Sequence, residues 1–150
     1  MKTDLQKIIP GKVDVFNVVQ EKLTNSMVRT LKPRTTVILV FDVDAGNVDI
    51  LKYNLDFLRK QKPFVKEVVC ITQIMNLEEE LVRSCEIESV LELTRSRSRK
   101  DYKHDLVRIT NLDRRLEECG FDIAKFWARQ PDNQYKDIQN ASDKIKLCAK

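Results

Sequence analysis

Five consecutive apolar residues, Val37–Phe41, run directly into two aspartates one residue apart, Asp42 and Asp44. A short run that is apolar on both faces is typical of a strand buried in a parallel sheet. We therefore expect this strand to be central, flanked by a second β-branched run near Val68–Thr72. The aspartates would then lie at the carboxyl end of the strand, where open parallel sheets bind their ligands.

Helical and extended patterns alternate around that run. Apolar residues at helical spacing predict a helix over Val15–Lys32, and a second helix follows the aspartates from a cap at Asn47 to about Lys62. The run "VKEVVCITQ" predicts a second strand, and "NLEEELVRSC" predicts a helix that begins at Asn76. This alternation indicates an α/β fold with a Rossmann-like parallel sheet flanked by helices.

The last third of the chain changes to purely helical patterns. The segment from Tyr102 to Cys119 predicts one helix or a broken pair that Gly120 ends, and "FDIAKFWARQ" predicts another helix. With 150 residues and 42% hydrophobic content, the chain is long enough for one domain with a core. We divide this domain into a leading helical region over residues 1–33, a sheet core over 34–95 and a helical tail over 100–150.

Composition excludes some classes of protein. Four cysteines without a CxxC pair, and a single histidine, argue against a structural zinc site and against a disulfide scaffold. No apolar run approaches the roughly 20 residues that span a bilayer, and the amino terminus lacks the apolar core of a signal peptide. We therefore expect a cytoplasmic protein without a membrane partner. A net charge of +4 allows a nucleic-acid partner without requiring one.

Two interpretations fit Asp42 and Asp44. Two carboxylates at a strand end can hold a hard cation such as Mg²⁺, which prefers oxygen ligands. Aspartate is also a common turn and cap residue, although Gly46 and Asn47 already supply a turn here.

The helix after Asn76 adds a third acid to the same edge of the sheet. Helical geometry places Glu78 within the apolar arc of this helix and places Glu79 and Glu80 opposite. Glu79 follows Asn76 at the spacing of a capping box, and Glu80 is most simply a solvated charge. An inward Glu78 needs a partner, because burying an unpaired carboxylate costs several kcal/mol. That partner is either a metal ion or an arginine from the basic run that follows.

The basic run consists of "RSRSRK" and a nearby lysine. Its five cations, with Tyr102 among them, are Arg95, Arg97, Arg99, Lys100 and Lys103. Such a cluster can bind the phosphates of a nucleic acid in a salt-dependent way. The alternatives are a solvated connector and a set of partners for the preceding glutamates. Trp127, with Phe121 and Phe126, is expected in the core.

A hydrophobic strand that ends in "VFDVD", followed by a helix, a second strand and the acidic helix "NLEEELVRS", resembles the Toprim-like domains of bacterial defence proteins. These include OLD-family nucleases and RloB-like abortive-infection proteins. The resemblance covers roughly residues 30 to 110. It implies a phosphoryl-transfer domain of nuclease type that acts in phage defence, with Asp42 and Asp44 as magnesium ligands and Glu78 in a supporting role. The partners it implies are DNA or RNA, and a protein partner or a second copy of the chain.

The chain departs from that family at its amino-terminal end. The family pattern has an acid/base glutamate in a glycine-flanked turn upstream of the DxD aspartates, whereas the only glutamate before Asp42 is Glu21. We therefore expect a fragment or an inactive domain that does not cut nucleic acid by itself. The alternative is a non-catalytic binding module of a defence or regulatory system, in which the aspartates only shape the turn.

Overall fold

The structure, a computed structural model, describes residues 11–146; residues 1–10 of the leading region and 147–150 of the tail lie outside it. The helices and strands follow in chain order: α1 (Asn25–Arg29), β1 (Thr35–Asp42), α2 (Val48–Lys60), β2 (Val65–Gln73), α3 (Leu77–Ser84), α4 (Val90–Thr94), α5 (Tyr102–Arg108), α6 (Leu112–Glu118) and α7 (Asp143–Lys146). The chain is therefore a mixed α/β protein.

The two strands lie side by side and run parallel, with Ile38 opposite Val69 and Asp42 opposite Gln73. Helix α2 connects them, so β1, α2 and β2 form one βαβ unit. The predicted parallel pairing of the two β-branched runs is confirmed. The predicted central position of β1 is wrong for the described part of the chain, where the sheet has two strands and each is an edge.

Local signals account for α2. The Asn47 side chain accepts a hydrogen bond from the backbone N–H of Asp49 at 2.8 Å, which caps the helix as predicted. Leu51, Leu55 and Leu58 recur at helical spacing and are buried. Burying each of these side chains stabilises the fold by roughly 1.5–3 kcal/mol.

Separate hydrophobic clusters cover the two faces of the sheet. One cluster lies between the sheet and α2 and includes Phe41, Leu51 and Tyr135. The other includes Ile71, Leu81 of α3, Leu93 of α4 and Trp127. Trp127 and Phe126 are buried, so their predicted place in the core is confirmed.

The leading region differs from the prediction. Within the predicted helix over Val15–Lys32, only α1 is α-helical. The buried side chain of Asn54 explains the difference. Its Oδ1 accepts from the Leu23 N–H at 2.8 Å, and its Nδ2 donates to the carbonyls of Val18 and Glu21, each at 2.8 Å. These backbone groups bond to α2 instead of to a helix of their own.

The tail also differs. The predicted broken pair of helices is present as α5 and α6, and Gly120 follows α6 with a φ of 68°. The predicted helix in "FDIAKFWARQ" is wrong, because residues 123–127 form turns. Trp127 adopts a φ of 53°, and its N–H donates to the Glu80 carboxylate at 3.1 Å. A contact with α3 therefore fixes this segment in a non-helical turn.

No helix within residues 11–146 has the length and apolar character that crossing a membrane requires.

Candidate functional site

The carboxyl ends of β1 and β2 meet at one edge of the sheet. Asp42 Oδ1 accepts a hydrogen bond from Gln73 Nε2 at 2.7 Å, and the Trp127 indole Nε1 donates to Gln73 Oε1 at 3.2 Å. Because an indole N–H only donates, it fixes which end of the Gln73 amide faces Asp42. Trp127 and Gln73 thus hold the half-buried Asp42 carboxylate in one orientation at the sheet edge.

The predicted acids act on one another at this edge. Burial raises the pKa of Asp42, and the charges of Asp44 and Glu78 raise it further. The Gln73 hydrogen bond and the charge of Lys103 oppose that rise in pKa. We call the three carboxylates, Asp42, Asp44 and Glu78, the acidic rim, and Lys103 lies beside it.

Other residues build the turn that follows β1. Asn133 Nδ2 donates to the Val43 carbonyl at 2.7 Å, and the Tyr135 hydroxyl donates to the Ala45 carbonyl at 2.8 Å. Gly46 has a φ of 80°, and a Cβ there would lie 2.4 Å from Cγ2 of Val19. Only glycine fits this close approach of two backbone segments.

Among residues 11–146, neither Asp42 nor Asp44 forms a hydrogen bond that holds that turn. Asp42 bonds to Gln73 on the neighbouring strand, and α2 is capped by Asn47. Asp44 is exposed and makes no hydrogen bond or ion pair within the described residues. The interpretation of these aspartates as turn or cap residues therefore has no contact to support it.

Glu78 lies at the rim, with its side chain 19% exposed. Its Oε1 accepts a hydrogen bond from the Tyr102 hydroxyl, and Lys103 Nζ lies 3.9 Å from the same oxygen. Burial and the bond to Glu78 raise the pKa of Tyr102 to about 12. The partners of Glu78 among the described residues are therefore a tyrosine and a lysine of α5, and the predicted arginine partner is wrong.

The prediction that Glu80 is a solvated charge is wrong. Glu80 is fully buried, and its carboxylate accepts from the N–H groups of Ile74 and Trp127, each at 3.1 Å, and from the Arg83 guanidinium. Because these donors hold the Glu80 carboxylate inside the protein, the buried residues of α3 are Glu80, Leu81 and Ser84. The cap at Asn76 is confirmed, because its side chain accepts from the Glu79 N–H at 2.9 Å.

Four of the basic residues lie in the connector between α4 and α5, as predicted. Arg95 ends α4 with a φ of 56° and lies 3.7 Å from a carboxylate oxygen of Glu118. Arg97, Arg99 and Lys100 are exposed and form no ion pair with the described residues. Internal bonds shape the connector: Ser96 donates to Asp105 and Ser98 to Asp101, each at 2.6 Å. Three cations therefore point to solvent from a connector that these bonds order.

The metal assignment stays a prediction. Within residues 11–146, no group of three or more His, Cys, Asp or Glu side chains is gathered closely enough to hold a metal ion. Glu78 is engaged with Tyr102 and Lys103 through Oε1, and Asp42 with Gln73 through Oδ1, whereas Asp44 is exposed. Glu21 is exposed, and the charged groups that shift the pKa of Asp42 are Asp44, Glu78 and Lys103.

Sequence reasoning missed two residues of this site. Gln73 could have been found, because it is the last residue of the second β-branched run and pairs with Asp42 when the two strand ends are aligned. The sequence marks Tyr102 only as an aromatic residue within the basic run. Its bond to Glu78 spans 24 residues and depends on how α5 packs beside α3.

No protein-family model, no curated protein and no solved structure matches this chain.

Proposed function

We propose that the chain is a Toprim-like domain that binds nucleic-acid phosphates at the acidic rim with the help of a magnesium ion, and that it does not cut nucleic acid by itself. The edge position of β1 within the described residues counts against this resemblance, which predicts a central strand. The proposal therefore rests on the chemistry of the strand ends and on the order of elements, not on the extent of the sheet.

The observation that carries this proposal is that, within the described residues, neither aspartate forms a hydrogen bond that holds the turn or caps the helix beside it. The turn and the cap beside them are held by Asn133, Tyr135 and Asn47. Asp42 is nevertheless half-buried beside two other carboxylates, which raises its pKa. Holding an ionised carboxylate there disfavours the folded state, and acids with a raised pKa at such places are candidates for functional sites.

The rim fits a weakly held magnesium ion. In proteins Mg²⁺ usually keeps several waters and is bound through one or two carboxylates together with substrate phosphates. Asp42 and Asp44 would be its protein ligands, and a bound ion would supply positive charge between these carboxylates and a phosphate oxygen. Such an ion also relieves the repulsion that raises the pKa of Asp42. Glu78 contributes through its charge, since Tyr102 and Lys103 already occupy its oxygen.

The cations beside the rim fit the phosphates of a nucleic acid. Lys103 is 76% exposed, so its ammonium reaches solvent even though it lies near Glu78. Arg97, Arg99 and Lys100 are exposed on the connector that leads to α5. Each phosphate contact by such a cation releases roughly one counterion and makes binding depend on salt. The rim and the connector thus provide the two kinds of charge that a phosphate ester bound through magnesium requires.

The experiment is a salt titration of binding to a labelled oligonucleotide, in Mg²⁺ and in a chelator. We expect weak binding of any sequence. Replacing Arg95, Arg97, Arg99 and Lys100 with Ser should flatten the salt dependence by up to about four ion equivalents. The Asp42→Asn variant should bind the oligonucleotide in chelator as the wild type does, but its affinity should not increase in Mg²⁺. Asp56→Asn, on an exposed position of α2, serves as its control.

Each outcome decides between named alternatives. An equal gain from Mg²⁺ in the wild type and in Asp42→Asn would remove the metal site and leave a binding module without metal. A four-serine variant with unchanged binding would remove the connector from the interface. Robust magnesium-dependent cutting, lost in Asp42→Ala, would show instead that the chain is an active nuclease.

A further inference from the structure

The outer edge of β1 has no backbone partner among the residues that the structure describes. On the inner edge, Thr35 N–H donates to the Phe64 carbonyl at 2.8 Å, and Val43 N–H donates to the Gln73 carbonyl at 3.1 Å. Backbone groups alternate between the two edges along a strand. The N–H and C=O groups that point away from β2 are therefore those of Thr36, Ile38, Val40 and Asp42. Within residues 11–146, no other segment pairs with this edge.

Burial differs between the strands at paired positions. In β2, Val69, Cys70 and Ile71 are buried, whereas Ile38, Leu39 and Val40 opposite them are only partly buried. The outer edge of β2 is partly covered, because the Ala141 N–H donates to the Cys70 carbonyl at 2.8 Å. No charged residue or proline interrupts β1 between Thr35 and Phe41. Natural proteins use such residues to block the pairing of exposed edges.

The charges at the two ends of β1 indicate what pairs with it. Arg34 lies just before the strand, and Asp44 lies just beyond its end. Both are exposed, and neither forms an ion pair with a described residue. In an antiparallel pair of two copies of β1, centred on Leu39, the turn at Arg34 of each copy lies beside the bend at Asp44 of the other. The same register places Ile38 opposite Val40, so that outward-pointing groups face each other.

We propose that a second copy of the chain adds to this edge, so that the two copies of β1 pair antiparallel and form one four-stranded sheet with a β2 at each end. The pairing is isologous, because the same edge serves both copies about a two-fold axis at Leu39. It satisfies the outward backbone groups and covers the partly exposed Ile38 and Val40. It places the rim aspartates of the two copies at opposite ends of the shared pair of strands.

Amide hydrogen exchange on the full chain, measured by NMR at several protein concentrations, tests this directly. The amides of Leu39 and Phe41 bond to β2 and should be protected at every concentration. The amides of Ile38 and Val40 point outward, so their protection should rise with concentration in parallel with the dimer fraction seen by sedimentation. Fast exchange of Ile38 and Val40 at all concentrations in a monomeric protein would overturn the proposal. Protection of these amides in a protein that stays monomeric would overturn it too, by showing a different occupant.

Exchanging the end charges tests the register. Arg34→Asp and Asp44→Arg should each raise the dimer dissociation constant by about tenfold or more, because each creates two like-charge contacts. The combined variant restores opposite charges and should bring the constant back to within about threefold of the wild type. Unequal effects with no recovery in the combined variant would overturn the proposed register. Thr36→Pro removes an outward N–H and should weaken the dimer, whereas Thr36→Val keeps that N–H and should not.

Discussion

Asp42 lies where its ionised carboxylate disfavours the folded state. Its carboxylate is half-buried beside Asp44 and Glu78, so its pKa is raised above the usual value of 3.8. The folded state therefore binds a proton at this carboxyl group more tightly than the unfolded state does. The stabilisation from that proton is present at acidic pH and is lost as the pH rises through the raised pKa of Asp42.

The first prediction follows from the raised pKa of Asp42. Asp42→Asn keeps an oxygen that can accept the Gln73 hydrogen bond and cannot ionise. Its melting temperature should exceed that of the wild type near neutral pH, and the difference should shrink as the pH falls and Asp42 becomes protonated. Thermal melts over this pH range check the prediction, with Asp56→Asn as the control. A constant difference at every pH would show that repulsion at Asp42 is not its cause.

At the scale of elements, Glu80 joins three parts of the molecule. Its buried carboxylate ties the end of β2 at Ile74 and the turn at Trp127 to helix α3. Removing one partner of a buried ion pair costs about 3–5 kcal/mol, and buried amides left without an acceptor add to that cost.

Glu80→Ala should therefore lower the free energy of unfolding by about 3 kcal/mol or more. Glu79→Ala, at the exposed neighbouring position of α3, should change it by less than about 1 kcal/mol. Urea unfolding of the two variants measures both values. Equal, small losses would mean that the Glu80 contacts contribute little to the stability of the fold.

Elements with local signals were predictable from the sequence. Strand β2 coincides with a β-branched run, and α2 and α3 each begin directly after an asparagine cap. The residues that form these elements are therefore neighbours in the sequence. The leading region and the segment before Trp127 were not predictable in this way. Asn54 and Glu80 decide their conformation, through hydrogen bonds that span 31 and 47 residues. A helical pattern near such a residue loses its backbone donors to a distant acceptor.

The same division applies to the site. The shared edge of Asp42, Asp44 and Glu78 follows from the ends of two parallel strands, and their mutual effect on the pKa of Asp42 agrees with it. The orientation of Asp42 by Gln73 and Trp127 depends on contacts that span 31 and 54 residues. Sequence patterns therefore indicated where the acids lie but not what holds them.

At the scale of the whole molecule, the two proposals depend on two edges of a small sheet. The carboxyl edge carries the acidic rim, and no described segment pairs with the outer edge of β1. The two features share Asp44, which is a proposed ligand of the cation and, in the proposed strand pair, lies near Arg34 of the other copy. Loss of dimerisation would leave the rim intact, and neutralising Asp42 would leave the outward backbone groups unchanged.

The central claim is that the rim holds a divalent cation at Asp42 and Asp44. Paramagnetic broadening of backbone amides by Mn²⁺, which binds like Mg²⁺ to carboxylate oxygens, tests it at the level of single residues. We predict selective broadening of the amides of residues 42–45 in the wild type, reversed by excess Mg²⁺ and absent in Asp42→Asn but retained in Asp56→Asn. Broadening spread evenly over the exposed acids, or equal broadening at residues 42–45 in Asp42→Asn, would contradict the claim.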